Sequence, residues 1–248
     1  LTRWGMLRPC FVPPAAIGRV RDFTRARQDL VAGRTRCLQR LEKLLEDAMI
    51  KVTAVARDGM KAKSVVAMVA ALAAGERDPH VLADLAKGPL RAKKDALAEA
   101  LDGMFDSHHG VIAGMLLDQV AFLGQRITDM ENQAIAALAE VPESWGVDAS
   151  GESGQAAGTS PGSPVLAAAH RLAEIPGISV WLAIVIIAEI GLNMAVFPTP
   201  AHLVSWLGLC RSAAQSGTRT GKGKPKKGNS YARAAAGQAA IGAARTST

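Results

Sequence analysis

The chain has 248 residues, of which 49% are apolar and only 4% are aromatic, and its formal net charge is +7. This composition excludes a chain that is disordered throughout, and it provides for a sizeable core. Because the apolar residues are mostly Ala, Leu, Val and Ile, helices are favoured over a β-sandwich or a β-barrel. The predicted fold class is mainly α.

Positive charge is concentrated at the two ends of the sequence. Residues 1–40 hold nine arginines against two aspartates, and residues 211–248 hold eight cations and no acid. The segment between them carries an excess of acids. Two basic ends predict contacts with a polyanion, for which nucleic acid is the commonest candidate. A solvated helix face remains the alternative interpretation.

The cysteines and the apolar runs exclude several classes of protein. Cys10, Cys37 and Cys210 lie far apart, which indicates a reduced, cytosolic protein without a disulfide framework or a zinc site. The sequence shows no signal peptide. The apolar run 180–188 is too short to cross a bilayer, so no membrane segment is expected. Since the chain opens at Leu1 without a methionine, we expect a fragment of a longer protein.

Two long heptad patterns predict a helical hairpin in residues 1–141. After an extended entry, Pro14 can open a helix that runs towards Asp58. Its heptad positions are Leu30, Arg34, Cys37, Leu41, Leu44 and Ala48. A second long helix is predicted from Ser107 to Glu140, with heptad positions Leu116, Val120, Leu123, Ile127, Met130, Ala134 and Ala137. We therefore predict a long antiparallel coiled-coil hairpin that serves assembly into a homo-oligomer, although an intramolecular hairpin could satisfy both seams.

Shorter elements are predicted between and after the long helices. Between them lie helices over 63–74, from Pro79 to Gly88, and over 90–104. Residues 142–164 are rich in Gly, Ser and Pro, which predicts a flexible linker and a domain boundary. Beyond it, residues 165–248 form a small helical domain, with helices over 165–174 and 181–190 and another from Ser230.

The turn between the first two of these helices is a candidate DNA contact. Residues 172–179, which contain Pro176 and Gly177, have the form of a helix–hairpin–helix unit. In such a unit, backbone N–H groups at a helix N-terminus can hold a phosphate. The alternative is an ordinary αα corner in which Gly177 supplies a positive φ.

The acid-free basic tail carries the candidate chemistry. Ser216 precedes a glycine on a predicted exposed loop with cations nearby, an arrangement suited to attack on a phosphodiester. A polar loop serine is the alternative. Residues 222–229 (KGKPKKGN) predict a phosphate-binding loop before a helix. The nucleic-acid-binding candidates in this tail are Arg219, Lys222, Lys224, Lys226, Lys227, Asn229 and Arg233.

No metal site is predicted. His108 and His109 are adjacent, and neighbouring side chains on a helix point about 100° apart, which makes them poor joint ligands. Asp102, Asp106 and Asp118 are scattered and form no convincing acidic cluster.

Several motifs together resemble a known family. Residues 4–14, 41–48 and 74–79 resemble the middle of DEDD-type insertion-sequence transposases, which are related to the Piv invertase. Residues 175–178, 187–191, 197–199, 205–210 and 227–229 resemble the C-terminal transposase domain of that family.

The resemblance implies a division of labour in the full protein. An N-terminal RuvC-like domain, expected before Leu1, binds Mg²⁺ through a DEDD tetrad of acids, and a coiled coil mediates assembly. The C-terminal domain supplies a serine that links covalently to DNA, and some members are guided by a structured RNA. Ser216 matches the position of this nucleophile, whereas Gln215 stands where the family usually has Glu.

The predicted function is DNA transposition or site-specific recombination in the bacterial cytoplasm, and the fragment alone is expected to be inactive. One alternative is a module that binds nucleic acid and oligomerises without chemistry. Another is a non-catalytic coiled-coil scaffold, which a salt-insensitive or absent DNA interaction would favour, because phosphate contacts must weaken with salt.

Overall fold

The computed structural model describes residues 14–141, 167–210, 214–216, 219–221 and 227–245. Most of these residues are helical, which confirms the mainly α prediction. The helices are α1 (Ala15–Asp47), α2 (Val52–Val55), α3 (Lys63–Ala73), α4 (Pro79–Asp84), α5 (Lys94–Leu101), α6 (Ser107–Ala139), α7 (Ala167–Ala173), α8 (Val180–Ile190), α9 (Pro200–Trp206) and α10 (Ser230–Ala244). Two short strands, β1 (Ala214–Ser216) and β2 (Arg219–Gly221), pair in antiparallel register.

The described residues divide into two compact units. We call residues 27–129 the hairpin unit, and residues 14–26 together with 130–245 the terminal unit. The linker predicted over 142–164 lies outside the described residues. The domain boundaries 1–141 and 165–248 therefore stay a prediction.

In the hairpin unit, α1 packs against α6 in antiparallel orientation. The Sγ of Cys37 lies 3.5 Å from the Oε1 of Gln119, and further along, Asp47 lies 3.6 Å from the Nε2 of His109. Both helices contribute apolar side chains to one core, in which Leu41, Leu45 and Ala113 are almost completely buried. The predicted antiparallel pairing is thus present in this unit, while the supercoiling of a coiled coil stays a prediction.

The first long helix ends earlier than the sequence suggested. It stops at Asp47, because Met49 adopts a left-handed conformation with φ 65°. The N–H of Ile50 donates to the carbonyl of Leu45 at 2.8 Å, and the N–H of Met49 donates to that of Glu46 at 3.0 Å. These two bonds form a Schellman ending, which usually takes glycine at the left-handed position. Without that glycine, the sequence carries no visible stop signal.

The core of the terminal unit surrounds α8. This helix is apolar on nearly all sides, and Ala183, Ile184, Ile187 and Ala188 are buried against residues from α1, α6 and α7. Ser179 begins the helix by accepting a hydrogen bond from the N–H of Leu182 at 3.2 Å. In the part of the chain that the structure describes, no helix has the length and apolarity to cross a membrane.

Candidate nucleic-acid site

A fully buried carboxylate lies at the C-terminal end of α8. Glu189 has no exposed surface, and both of its side-chain oxygens accept hydrogen bonds from Arg25 of α1, each at 2.8 Å. Burying a charge is costly unless it is paired and hydrogen-bonded, and a two-pronged arginine contact satisfies both needs. The hydrogen bonds to Glu189 raise the pKa of the Arg25 guanidinium above its ordinary value, so this arginine stays charged.

A second arginine of α1 forms hydrogen bonds at the C-terminal end of α8. Arg21, one turn before Arg25, donates to the backbone carbonyls of Ala188 at 3.0 Å and of Glu189 at 2.9 Å. The last carbonyls of a helix have no partner within the helix, and a cation near them also complements the helix dipole. Arg21 therefore supplies both hydrogen bonds and charge at this helix end.

Asn229 connects the buried carboxylate to α10. Its Nδ2 donates to the Oε2 of Glu189 at 2.5 Å. Its Oδ1 accepts from the N–H groups of Tyr231 and Ala232 at 3.0 and 3.1 Å, which makes Asn229 the N-cap of α10. The ring of Tyr231 lies beneath Arg25, with 4.4 Å between its centroid and the guanidinium carbon. Both ends of the Asn229 side chain thus have protein partners.

The segment 227–229 packs closely on the end of α9. A side chain at Gly228 would overlap the backbone of Leu207 and Gly208, so only glycine fits there. Gly208 itself has φ 74°, and its N–H and that of Leu209 donate back to α9 at 3.1 Å each, which is a glycine helix ending. The motif 205–210 and the motif 227–229 therefore meet in the fold.

Ser216 belongs to the β-hairpin of β1 and β2, which lies in the sequence between these two motifs. It pairs with Arg219, and the pair Ala214–Gly221 closes the other end of the ladder. Ser216 is thus the strand residue next to the connection between β1 and β2. The structure places the backbone of both residues and leaves the nucleophile assignment a prediction.

The Pro176–Gly177 turn packs against α10. Gly177 has φ 87°, and a side chain there would overlap the backbone of Ala239 and Ala243. The positive φ is the one that an αα corner requires, and Pro176 is exposed beside it. Phosphate binding by this turn stays a prediction.

The remaining candidates are placed as follows. Lys227 is exposed and Arg233, on α10, is half-buried, whereas Lys222, Lys224 and Lys226 lie outside the described residues. Within the part of the chain that the structure describes, Lys227 is the exposed cation nearest in sequence to Gly228 and Asn229. Residues 227–229 contact Glu189 and the end of α9. Nucleic-acid binding by these residues stays a prediction.

Sequence reasoning missed the charged network. Arg21 and Arg25 were counted in the basic end expected to bind a polyanion, yet both engage Glu189 or its helix end, and Arg19 pairs with Glu140 at 3.0 Å. One signal was available. Glu189 interrupts the apolar run of α8, and an acid in a buried helix requires a cation or donor beside it.

One group of potential metal ligands occurs among the described residues. Asp106, His108 and His109 bring ligand atoms within 4.8 Å of one another, although adjacent histidines were judged poor joint ligands. The Oδ1 of Asp106 accepts from the backbone N–H of His108 at 3.0 Å and of His109 at 3.3 Å, so it caps α6. Mg²⁺ prefers an octahedron of oxygens, so two imidazoles and one carboxylate do not fit it.

Comparison with known proteins supports the resemblance in one segment. The model of the Transposase IS116/IS110/IS902 family matches residues 169–248, which include α8, α9, the β-hairpin and α10. Comparisons with curated proteins and with solved structures gave no match. Residues 169–248 are thus similar to transposases of this family, and the finer relation to DEDD enzymes and the Piv invertase stays a prediction.

Proposed function

We propose that this chain is part of a DNA transposase, in which the terminal unit presents a serine nucleophile to a DNA strand. The observation that carries the proposal is the family match over residues 169–248, within which Ser216 lies. The packing of motif 227–229 on the end of α9 supports it, because two motifs of the resemblance that flank the β-hairpin in the sequence form one local structure. DNA is then the substrate, and a homo-oligomer in the bacterial cytoplasm is the working form.

The proposed reaction is a transesterification at phosphorus. The Oγ of Ser216 attacks a phosphodiester, a phosphoserine ester forms, and a deoxyribose oxygen leaves with the proton that the serine loses. Cations near Ser216 would stabilise the charge that develops on the phosphoryl oxygens. Arg219 and Arg233 are proposed for this role together with the lysines of residues 222–227.

Mg²⁺ belongs to a different part of the proposed enzyme. The resemblance assigns it to a RuvC-like domain with four acidic ligands, where it would stabilise attacking and leaving oxygens. Among the described residues, the group of possible ligands formed by Asp106, His108 and His109 does not fit Mg²⁺. A structured guide RNA, which some members use, would be a further partner.

A trapping experiment tests the nucleophile. In the full-length protein with its RuvC-like domain, Ser216→Ala is expected to abolish the covalent protein–DNA adduct, because alanine lacks the attacking oxygen. The adduct is measured by denaturing electrophoresis with labelled DNA. The matched control is Ser205→Ala, an exposed serine on α9 in the same unit, which should leave the adduct unchanged. Wild-type adduct formation by Ser216→Ala would reject the assignment.

The second candidate function is nucleic-acid binding and oligomerisation without chemistry. The exposed Lys227 and the acid-free composition of residues 211–248 favour it. Its signature would be tight, salt-dependent DNA binding by a wild-type full-length protein that never forms an adduct. A DNA interaction that ignores salt would exclude both candidates and favour the scaffold interpretation.

Lys227→Ala tests the phosphate contact directly. We expect the affinity to fall by a similar factor for all DNA sequences, and the slope of log K against log salt to decrease by about 1, because one phosphate contact is lost. Fluorescence anisotropy of labelled duplexes at several salt concentrations measures both quantities. Lys61→Ala removes an exposed lysine from the hairpin unit and serves as the control. An unchanged salt slope in Lys227→Ala would exclude Lys227 from the DNA contact.

A further inference from the structure

We propose that Glu189 is a positioning residue for Ser216, because its buried carboxylate holds the base of the loop that carries this serine. The inference rests on the proposed function, since the position of the hairpin matters for catalysis only if Ser216 attacks DNA. Glu189 would touch neither substrate nor metal. Its role would be exerted through Asn229.

The first step concerns the hydrogen bonds that hold the Glu189 carboxylate. Arg25 donates to both oxygens of Glu189, and such a two-bond contact restrains the orientation of the carboxylate plane. Arg21 holds the backbone of the same residue through its carbonyl oxygen at 2.9 Å. Glu189 is therefore fixed at its backbone and at its side chain by two arginines of one helix, α1.

The second step connects Glu189 to the segments that flank the β-hairpin of β1 and β2. Asn229 donates to Glu189, and its neighbour Gly228 lies directly against the backbone of Leu207 and Gly208. Leu207 and Gly208 precede β1, while Gly228 and Asn229 follow β2. The segments that precede and follow the β-hairpin in the sequence thus meet at one contact. The hydrogen bond to Glu189 holds the second of these segments, residues 228–229.

The third step separates this role from helix capping. Asn229 caps α10 with its Oδ1 alone, and its Nδ2 is not needed for the cap. The bond to Glu189 is an additional, charge-assisted interaction with a buried group that Arg25 holds by both oxygens. Such a bond restrains where the chain segment 227–229 lies, in addition to keeping α10 formed.

Asn229→Ser isolates this bond. Serine is about as good an N-cap as asparagine, but its side chain is too short to cap α10 and also reach Glu189. The Arg25–Glu189 pair stays intact, so the variant should fold. Because a misplacement of about 1 Å can lower a catalytic rate about 100-fold, we expect adduct formation by the full-length protein to slow by about 10- to 100-fold. Asn229 was a nucleic-acid-binding candidate, but both ends of its side chain contact Glu189 and α10 in the fold. The dissociation constant for DNA should therefore stay within about two-fold, since the exposed Lys227 remains.

The control variant removes a carboxylate that is paired with Arg19 instead of Asn229. Glu140→Gln breaks the exposed pair with Arg19, whose side chains are 61% and 62% exposed, in the same unit. It should change neither adduct formation nor DNA affinity. A parallel loss of adduct rate, DNA affinity and melting temperature in Asn229→Ser would mean a purely structural role, and it would overturn the proposal.

A second measurement does not depend on the chemistry. Amide hydrogen exchange of this chain should become faster in residues 214–221 and 227–229 of Asn229→Ser, while α1 and α7 remain unchanged. Wild-type exchange at those residues overturns the positioning role whether or not Ser216 forms an adduct. Faster exchange in Asn229→Ser, combined with an adduct that still forms in Ser216→Ala, would reject Ser216 as the nucleophile. It would support the conclusion that the Asn229–Glu189 bond restrains the β-hairpin.

Discussion

Glu189→Ala is expected to lower the free energy of unfolding of the terminal unit by about 3–5 kcal/mol, because it leaves two partly buried guanidinium groups without their carboxylate. Glu189 is completely buried, and Arg25 donates to both of its oxygens at 2.8 Å. The substitution also removes the acceptor of Asn229. For a domain whose total stability is about 5–15 kcal/mol, such a loss would be a large fraction.

Urea unfolding followed by tryptophan fluorescence measures this loss in the relevant unit. All four tryptophans of the sequence lie outside residues 27–129, so their emission does not report the hairpin unit directly. Glu140→Ala is the control, because it breaks an exposed ion pair and should cost less than about 1 kcal/mol. A loss of equally small size in Glu189→Ala would contradict the description of the carboxylate as buried and paired.

A double variant separates lost charge pairing from lost packing. Arg25→Met combined with Glu189→Met removes both charges and fills a similar volume with apolar groups. Replacing buried ion pairs in this way is often neutral or stabilising, so the double variant should recover part of the stability that Glu189→Ala loses. Stability as low as that of Glu189→Ala would indicate that the remaining contacts, those of Arg21 and Asn229, supply most of the stabilisation.

The elements that the sequence predicted well are those whose signals are local. The second long helix was expected over 107–140 and spans Ser107–Ala139, because its heptad pattern continues without interruption. The start of α10 at Ser230 was also predicted, since Asn229 is a good N-cap and precedes an alanine-rich run. The helix predicted over 63–74, before Gly75, is α3, which ends one residue earlier at Ala73.

The elements that were missed depend on contacts between distant residues. Met49 ends α1 in a conformation that usually takes glycine, and burial of Ile50 accompanies it. The network around Glu189 joins Arg25 to Asn229, and no spacing rule connects residues so far apart. Composition placed Arg21 and Arg25 with the cations that face a polyanion. Only the fold shows that they face an acid of the same chain.

Gly177→Ala is the second substitution with a large expected effect on stability. A methyl group at this position would overlap the backbone of Ala239 and Ala243 in α10, and φ 87° is unfavourable for alanine. The left-handed conformation costs about 1–2 kcal/mol, and forcing extra volume into a close contact costs about 1–3 kcal/mol. We therefore expect a total loss of about 2–5 kcal/mol, measured by the same fluorescence-detected unfolding.

The matched control for Gly177→Ala lies in the helix that Gly177 contacts. Gly237 is in the interior of α10 with no atom within 4 Å of an added Cβ, so Gly237→Ala should stabilise the helix by about 0.5–1 kcal/mol. Gly242→Ala should again destabilise, because its added Cβ would lie 2.8 Å from the Cα of Gly177. Opposite signs for Gly237 and Gly242 would establish that the turn packs on α10 in solution. If Gly177→Ala folds with wild-type stability but loses DNA affinity, the turn is free to contact phosphate, and the helix–hairpin–helix interpretation is favoured over the αα corner.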